Sequence, residues 1–326
     1  MAAERDTRIP VTVVTGALGA GKTTLLNHLL TQTRGRRLAV IVNEFGDAGI
    51  DGDLIDSGAE ELVELSSGCL CCVVRGDLIR TLRDLAQRRP APDGVLIETT
   101  GLADPSPVIQ TFSADQILAA QYRLDSVVTL VDALNIVGQL ADGEDAADQI
   151  VLADLLILNK TAQAPDLSEI EGSLRALNPV APILHTDRAR VAAADLLDRR
   201  AFDAARVAER LNGLDLSHDH HDHIASRGIT SVSVLCDEPL DPGALESWLT
   251  DLLARQGPDI LRIKGIVDTG ETRRLVIQAV HMLLEGDYAN AWPAGRRQSR
   301  LVFIGRNLDA AALRHGVESC AALTVL

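Results

Sequence analysis

The chain has 326 residues, 46% apolar and 24% charged, with a formal net charge of -15 at pH 7. That length suits one large domain and one smaller one, each burying its own core. The acidic balance argues against a nucleic-acid or anionic-membrane surface, since either needs basic patches.

The N-terminus, MAAERDTRIPVTVV, lacks the apolar h-region of a secretory signal. No apolar stretch approaches the roughly 18 to 20 residues of a membrane span. Aromatics are scarce at 2%, so Leu, Val, Ile and Ala must build the cores. Five cysteines, odd in number and clustered, do not look like a disulfide framework, and the expected compartment is the reducing cytosol.

The first strand is VTVVT (11–15), and it runs directly into GALGAGKTT (16–24). This is G-x-x-x-x-G-K-[ST] between an apolar strand and a helix, KTTLLNHLLTQ. Glycines let backbone N–H groups turn inward around phosphate oxygens, and the helix N-terminus adds a favourable dipole. The phosphate-binding set is therefore Gly16, Gly19, Ala20, Gly21, Lys22, Thr23 and Thr24. Lys22 reaches the β and γ phosphates as a catalytic group, and the Thr23 hydroxyl holds Mg²⁺.

Next come strands LAVIVN (38–43) and ELVELS (61–66), the second followed by SSGCLCCVVRGD (66–77). Cys69, Cys71 and Cys72 fall on a loop after Gly68, ahead of a helix read from near Arg75. Core filling suits scattered cysteines on apolar faces better than three in four residues. A Cys69–Cys72 redox pair leaves Cys71 unexplained. Three thiolates suit Zn²⁺ or Co²⁺, with a carboxylate, histidine or water as the fourth ligand. Cys236, on the Val232/Val234 face of a later strand, and Cys320 fit the core-filling role.

After the helix DLIRTLRDLAQR, strand GVLIET (94–99) ends in IETTG. Glu98 is placed to bind Mg²⁺ and serve catalysis, and the Gly101 N–H to sense the γ phosphate. Strands SVVTLVDA (126–133) and DLLILN (154–159) follow. Strands alternating with helices predict an α/β fold, a mostly parallel sheet with helices on both faces. Asn159 and Lys160 open an N-K-x-D base-binding pattern, but position 162 is Ala. A charged hydrogen bond to the base is worth about 1.5–3 kcal/mol, so guanine preference should weaken roughly ten- to a hundredfold.

Residues 1–212 therefore read as a P-loop domain and 213–228 as a polar, histidine-rich linker. Residues 229–326 read as a smaller α+β domain, with strands at 229–236, 259–268, 273–284 and 300–305 and helices at 242–254 and 309–318. The linker's HDHHDH run offers His218, His220, His221 and His223 as a flexible metal-collecting site. His281 is placed on the packed face of strand 273–284, with Leu275, Ile277 and Leu283. A P-loop kinase with a cysteine-stapled loop, and a non-hydrolysing metal buffer or sensor, are the competing readings.

These motifs together resemble the CobW-type GTPases, relatives of HypB and UreG. The likeness extends over VTVVTGALGAGKTTLLNHLL, VIVNEFGDAGIDGDLI, EELVELSSGCLCCVVRGDL, ETTGLADPSPV, ADLLILNKT, LRIKGIV and WPAGRRQSRLVFIGRNLD. The resemblance implies GTP hydrolysis coupled to delivery of zinc, or of cobalt for cobalamin synthesis or a cobalt enzyme, to a client metalloprotein. It implies nucleotide-responsive loops at 43–57 and 98–105, with Glu44 and Asp47 as further metal or Mg²⁺ contacts. It also implies a C-terminal domain that recognises or covers the client, and a homodimer formed with metal or nucleotide. Ala162, where the family usually has Asp, puts GTP specificity in question; Ala17, where Phe is common, is a lesser departure.

Overall fold

A computed structural model of the chain describes residues 6–43, 61–65, 73–101, 104–143, 145–164, 166–213 and 228–322. The N-terminal part begins β1 (Ile9–Gly16), α1 (Lys22–Gln32), β2 (Leu38–Asn43), β3 (Glu61–Leu65), α2 (Val73–Gln87) and β4 (Gly94–Glu98). It continues α3 (Ser106–Ala114), α4 (Gln116–Gln121), β5 (Tyr122–Asp132), α5 (Ile136–Asp142), α6 (Asp145–Leu152) and β6 (Leu155–Asn159). Last come α7 (Leu167–Leu177), β7 (Ile183–His185), α8 (Ala193–Leu196) and α9 (Ala204–Asn212).

The seven strands pair in the order β3-β2-β4-β1-β5-β6-β7, and every pairing is parallel. Parallel strands are buried on both faces, which explains why VTVVT, GVLIE and LLILN are apolar almost throughout. Leu25, Leu26 and Leu29 of α1 pack with Val14, Val40, Leu96, Val128 and Leu130 in one continuous core. This clamps the start of α1 against the carboxyl edge of the central strands, where an open parallel sheet binds its ligands.

The C-terminal part comprises β8 (Ile229–Cys236), α10 (Pro242–Gln256), β9 (Ile260–Val267), β10 (Arg273–Val280), β11 (Leu283–Ala291), β12 (Ser299–Arg306) and α11 (Ala310–Glu318). Its antiparallel sheet has the order β11-β10-β9-β12-β8. Leu245, Leu249 and Leu253 of α10, with Leu313 and Val317 of α11, cover one face. The chain forms two compact units, and the one built on this sheet also takes in residues 140–152, 168–181 and 201–213.

One expected strand is two. Residues 273–284 turn at His281 and Met282, because Val280 pairs with Leu283 across a hairpin. His281 adopts φ 50°, and its N–H donates to the Leu261 carbonyl at 3.0 Å. It is therefore a turn residue and not a member of the packed strand face. The turn contains no Gly, Asn, Asp or Pro, so the apolar run RRLVIQAVHMLL carries no punctuation. Strand β11 is a half-exposed edge and lacks a clean alternation, and β7 is only three residues long.

Candidate phosphate and base site

Among the described residues, four helices start with an aspartate whose carboxylate accepts backbone N–H bonds: Asp115, Asp203, Asp241 and Asp309. Helix α1 differs. Gly21, in a left-handed conformation, precedes it with no side-chain cap, and its first turn contains no acid. Its orphan N–H groups thus face the carboxyl edge of the sheet with no anionic competitor, the arrangement that suits phosphate. Lys22 is buried, and its Nζ donates to the carbonyls of Gly16 at 2.9 Å and Ala17 at 3.3 Å. Gly16 has φ 136°, and a Cβ there would stand 2.2 Å from the Leu130 carbonyl oxygen, so only glycine can begin the loop.

Strand β4 delivers its C-terminal residues beside this loop. Val14 pairs with Glu98, and the Thr99 N–H donates to the Val14 carbonyl at 3.0 Å. Buried hydroxyls of Thr99 and Thr15 bond at 2.8 Å and tie the two strand ends together. A Cβ on Gly101 would come within 2.5 Å of Leu18 N, so this backbone lies directly on the glycine loop. The Thr100 hydroxyl oxygen is buried with no hydrogen-bond partner among the described residues. Glu98, itself buried, and Thr23 offer hard oxygen donors at the same edge, a donor set that fits Mg²⁺.

On the other side, Asn159 is a brace. Its Nδ2 donates to the Ala20 carbonyl at 2.8 Å, and its Oδ1 accepts from the Ala189 N–H at 2.9 Å. The glycine loop and the segment after β7 are thereby fixed to the end of β6. Lys160 stands in a left-handed conformation with its ammonium 2.7 Å from Asp132. Sequence reasoning passed over Asp132, although the acid ending LVDA was a readable signal.

Burial at 1% exposure would push the Asp132 carboxyl up. The Lys160 ammonium, the Asn135 amide and the Leu134 N–H outweigh it and hold the pKa below the usual 3.8. A depressed folded pKa contributes stability above the unfolded value and loses it as pH falls through the folded one. Asp132→Asn should therefore lower the melting temperature by a few degrees at neutral pH. The gap from wild type should close on acidification below 3.8; melts across that range would refute the pairing if the gap widened instead.

Cys69, Cys71, Cys72, Glu44, Asp47 and the histidines 218, 220, 221 and 223 lie outside the described residues. Among the described residues, no group of three His, Cys, Asp or Glu side chains could hold a metal ion. Cys236 and Cys320 are free and buried in the C-terminal core, where burial pushes both thiols up and keeps them protonated. Their core-filling role stands. No helix among the described residues is long and apolar enough to cross a membrane.

A glycine loop between a buried parallel strand and an uncapped helix, with an acid-ended strand beside it, defines a P-loop nucleotide-binding protein. The CobW/HypB/UreG nucleotide-binding domain matches residues 10–185, and the cobalamin synthesis protein cobW C-terminal domain matches 229–321. The chain belongs to this family. It is 36% identical to the zinc chaperone CobW of Sinorhizobium sp, over 95% of this chain and 96% of that one. It is 33% identical to the zinc chaperone YjiA of Escherichia coli K12, over 94% and 96% of the two chains. The crystal structure of Zn(II)-bound YjiA GTPase from E. coli has the same fold: TM-score 0.80 at 30% identity, covering 97% of this chain and all of that one.

Proposed function

We propose that this protein is a GTP-hydrolysing metallochaperone that carries Zn²⁺ on Cys69, Cys71 and Cys72 and passes it to a client metalloprotein under nucleotide control. The observation that carries this reading is the likeness to zinc chaperones over nearly the whole chain, combined with an intact phosphate cradle at Gly16–Thr24. Backbone N–H groups of the loop and Lys22 bind the β and γ phosphates. Thr23 and Glu98 hold Mg²⁺, which neutralises charge on the transferred phosphoryl group. Gly101, lying on the loop backbone, senses whether the γ phosphate is present.

The nucleotide-responsive segments are 43–57 and 98–105, with the cysteine element between them in sequence. Glu44, Asp47 or the histidines of 218–223 complete the metal's coordination. Residues 1–212 act as the GTPase domain and 229–326 as the client-facing one, joined by the histidine-rich stretch. The protein works in the cytoplasm, and metal or nucleotide promotes a homodimer. Delivery of cobalt for cobalamin synthesis is the second reading, favoured by the match of residues 229–321 to a domain named for that process.

Titration with Co²⁺ tests the site. Thiolate ligation should give sulfur-to-metal charge-transfer absorption, release protons on binding and weaken in acid, since thiols must ionise to coordinate. The affinity should differ between GDP and a non-hydrolysable GTP analogue, and by linkage the metal must shift nucleotide preference by the same factor. Absorption that survives replacement of all three cysteines by serine removes the site. Equal affinities in the two nucleotide states leave a metal site without nucleotide-controlled release. A Zn²⁺ titration competing with Co²⁺ ranks the two cargoes.

A further inference from the structure

We infer that Asp187 reads the guanine edge in place of the acid that Ala162 lacks, an inference that rests on GTP being the nucleotide at this site. The fourth residue of N-K-x-D contributes a carboxylate, because guanine presents two N–H donors along one edge. Here that residue is alanine, yet a carboxylate stands at the same turn. Asp187 Oδ1 accepts from the Ala162 backbone N–H at 3.0 Å, and Oδ2 lies 3.4 Å from the Thr161 hydroxyl.

The segment carrying Asp187 is held from several sides. The Thr186 N–H donates to the Leu158 carbonyl at 2.9 Å, and the Thr161 N–H donates to the Thr186 carbonyl at 3.4 Å. The Ala189 N–H bonds Asn159 at 2.9 Å, the same side chain that braces the glycine loop. Arg188 and Ala189 both adopt left-handed backbone, with φ 54° and 51°. Side-chain-bearing residues rarely hold that conformation, and two in succession mark a loop whose shape its surroundings impose. The turn folds Asp187 back over residues 161–162.

A carboxylate has about four lone-pair sites, and these contacts engage two of them. Asp187 is exposed, and no Lys, Arg or His forms an ion pair with it among the described residues. The remaining sites can accept N–H donors from a base docked at the end of β6. Adenine has no such pair of donors and gains nothing there.

The test is equilibrium binding of GDP, ADP and XDP to the full chain and to Asp187→Ala and Asp187→Asn, each with a thermal melt. Losing charged hydrogen bonds to the base should weaken GDP binding about ten- to a hundredfold in Asp187→Ala and leave ADP unchanged. Asp187→Asn keeps an oxygen for the Ala162 N–H but presents an amide donor to the base. It should favour XDP, which carries a carbonyl where guanine has its amino group. If the alanine variant loses GDP and ADP alike through loop collapse, the asparagine variant's reversed preference still supports the reading. Asp187→Asn that ranks the nucleotides as wild type does, or Asp187→Ala with wild-type GDP affinity, overturns it and leaves the GTP reading standing. A wild type that binds GDP and ADP equally overturns both.

Discussion

Lys22→Ala should abolish nucleotide hydrolysis and leave the fold intact. In the structure the Lys22 ammonium is held over the glycine loop by the Gly16 and Ala17 carbonyls, at the N-terminus of a helix with no cap of its own. Under the proposed function it would meet the charge that builds on the departing phosphates. Removing one such preorganised donor costs on the order of a hundred- to a thousandfold in turnover. The folding cost is modest, because removing a buried charge offsets the two lost hydrogen bonds and water can reach the Gly16 and Ala17 carbonyls in the emptied cradle. Steady-state turnover and a thermal melt measured together separate the two. Wild-type turnover in the variant would remove the phosphate site from the mechanism.

Gly101→Ala should uncouple nucleotide binding from hydrolysis. The backbone angles at Gly101 lie outside the left-handed region, so alanine is conformationally acceptable and only space matters. The new methyl would stand 2.5 Å from Leu18 N and 2.8 Å from Leu18 Cα, both backbone atoms that cannot rotate away. Either the glycine loop or the segment after β4 must move. Displacing reacting groups by about 1 Å can cost on the order of a hundredfold in rate. Turnover should fall by that order, and GDP affinity should stay close to wild type, if Gly101 senses the γ phosphate as proposed. An alanine variant with full turnover would show that this close approach has no part in hydrolysis. Loss of GDP binding as well would place the damage in the glycine loop.

Much of this protein can be read from contiguous stretches. The phosphate cradle is legible because nine adjacent residues, 16–24, supply strand end, loop and helix start in one contiguous stretch. The buried strands are legible because a parallel sheet covered on both faces demands apolar residues at nearly every position, as in LLILN. Cys236 is legible as a core residue because it lies on the apolar face of β8, whereas Cys320 joins the same core from the turn after α11.

Other features depend on strand order, and no local pattern encodes it. Pairing β1 with β4 brings Thr15 to Thr99 and lays Gly101 against Leu18. Setting β6 beside β5 and β7 gives Lys160 its acid in Asp132 and brings Asp187 to the turn at Ala162. Asn159 illustrates both levels. Its place in N-K-x suggests a base contact, and the fold makes its side chain the tie between Ala20 and Ala189. The hairpin at His281 escapes local reading for a related reason. Its turn has no turn-forming residue, and β11 is held by its pairing with β10 rather than by an apolar period of its own. Backbone hydrogen bonds between strands can override a weak local preference, so residues distant in the chain meet wherever the register places them.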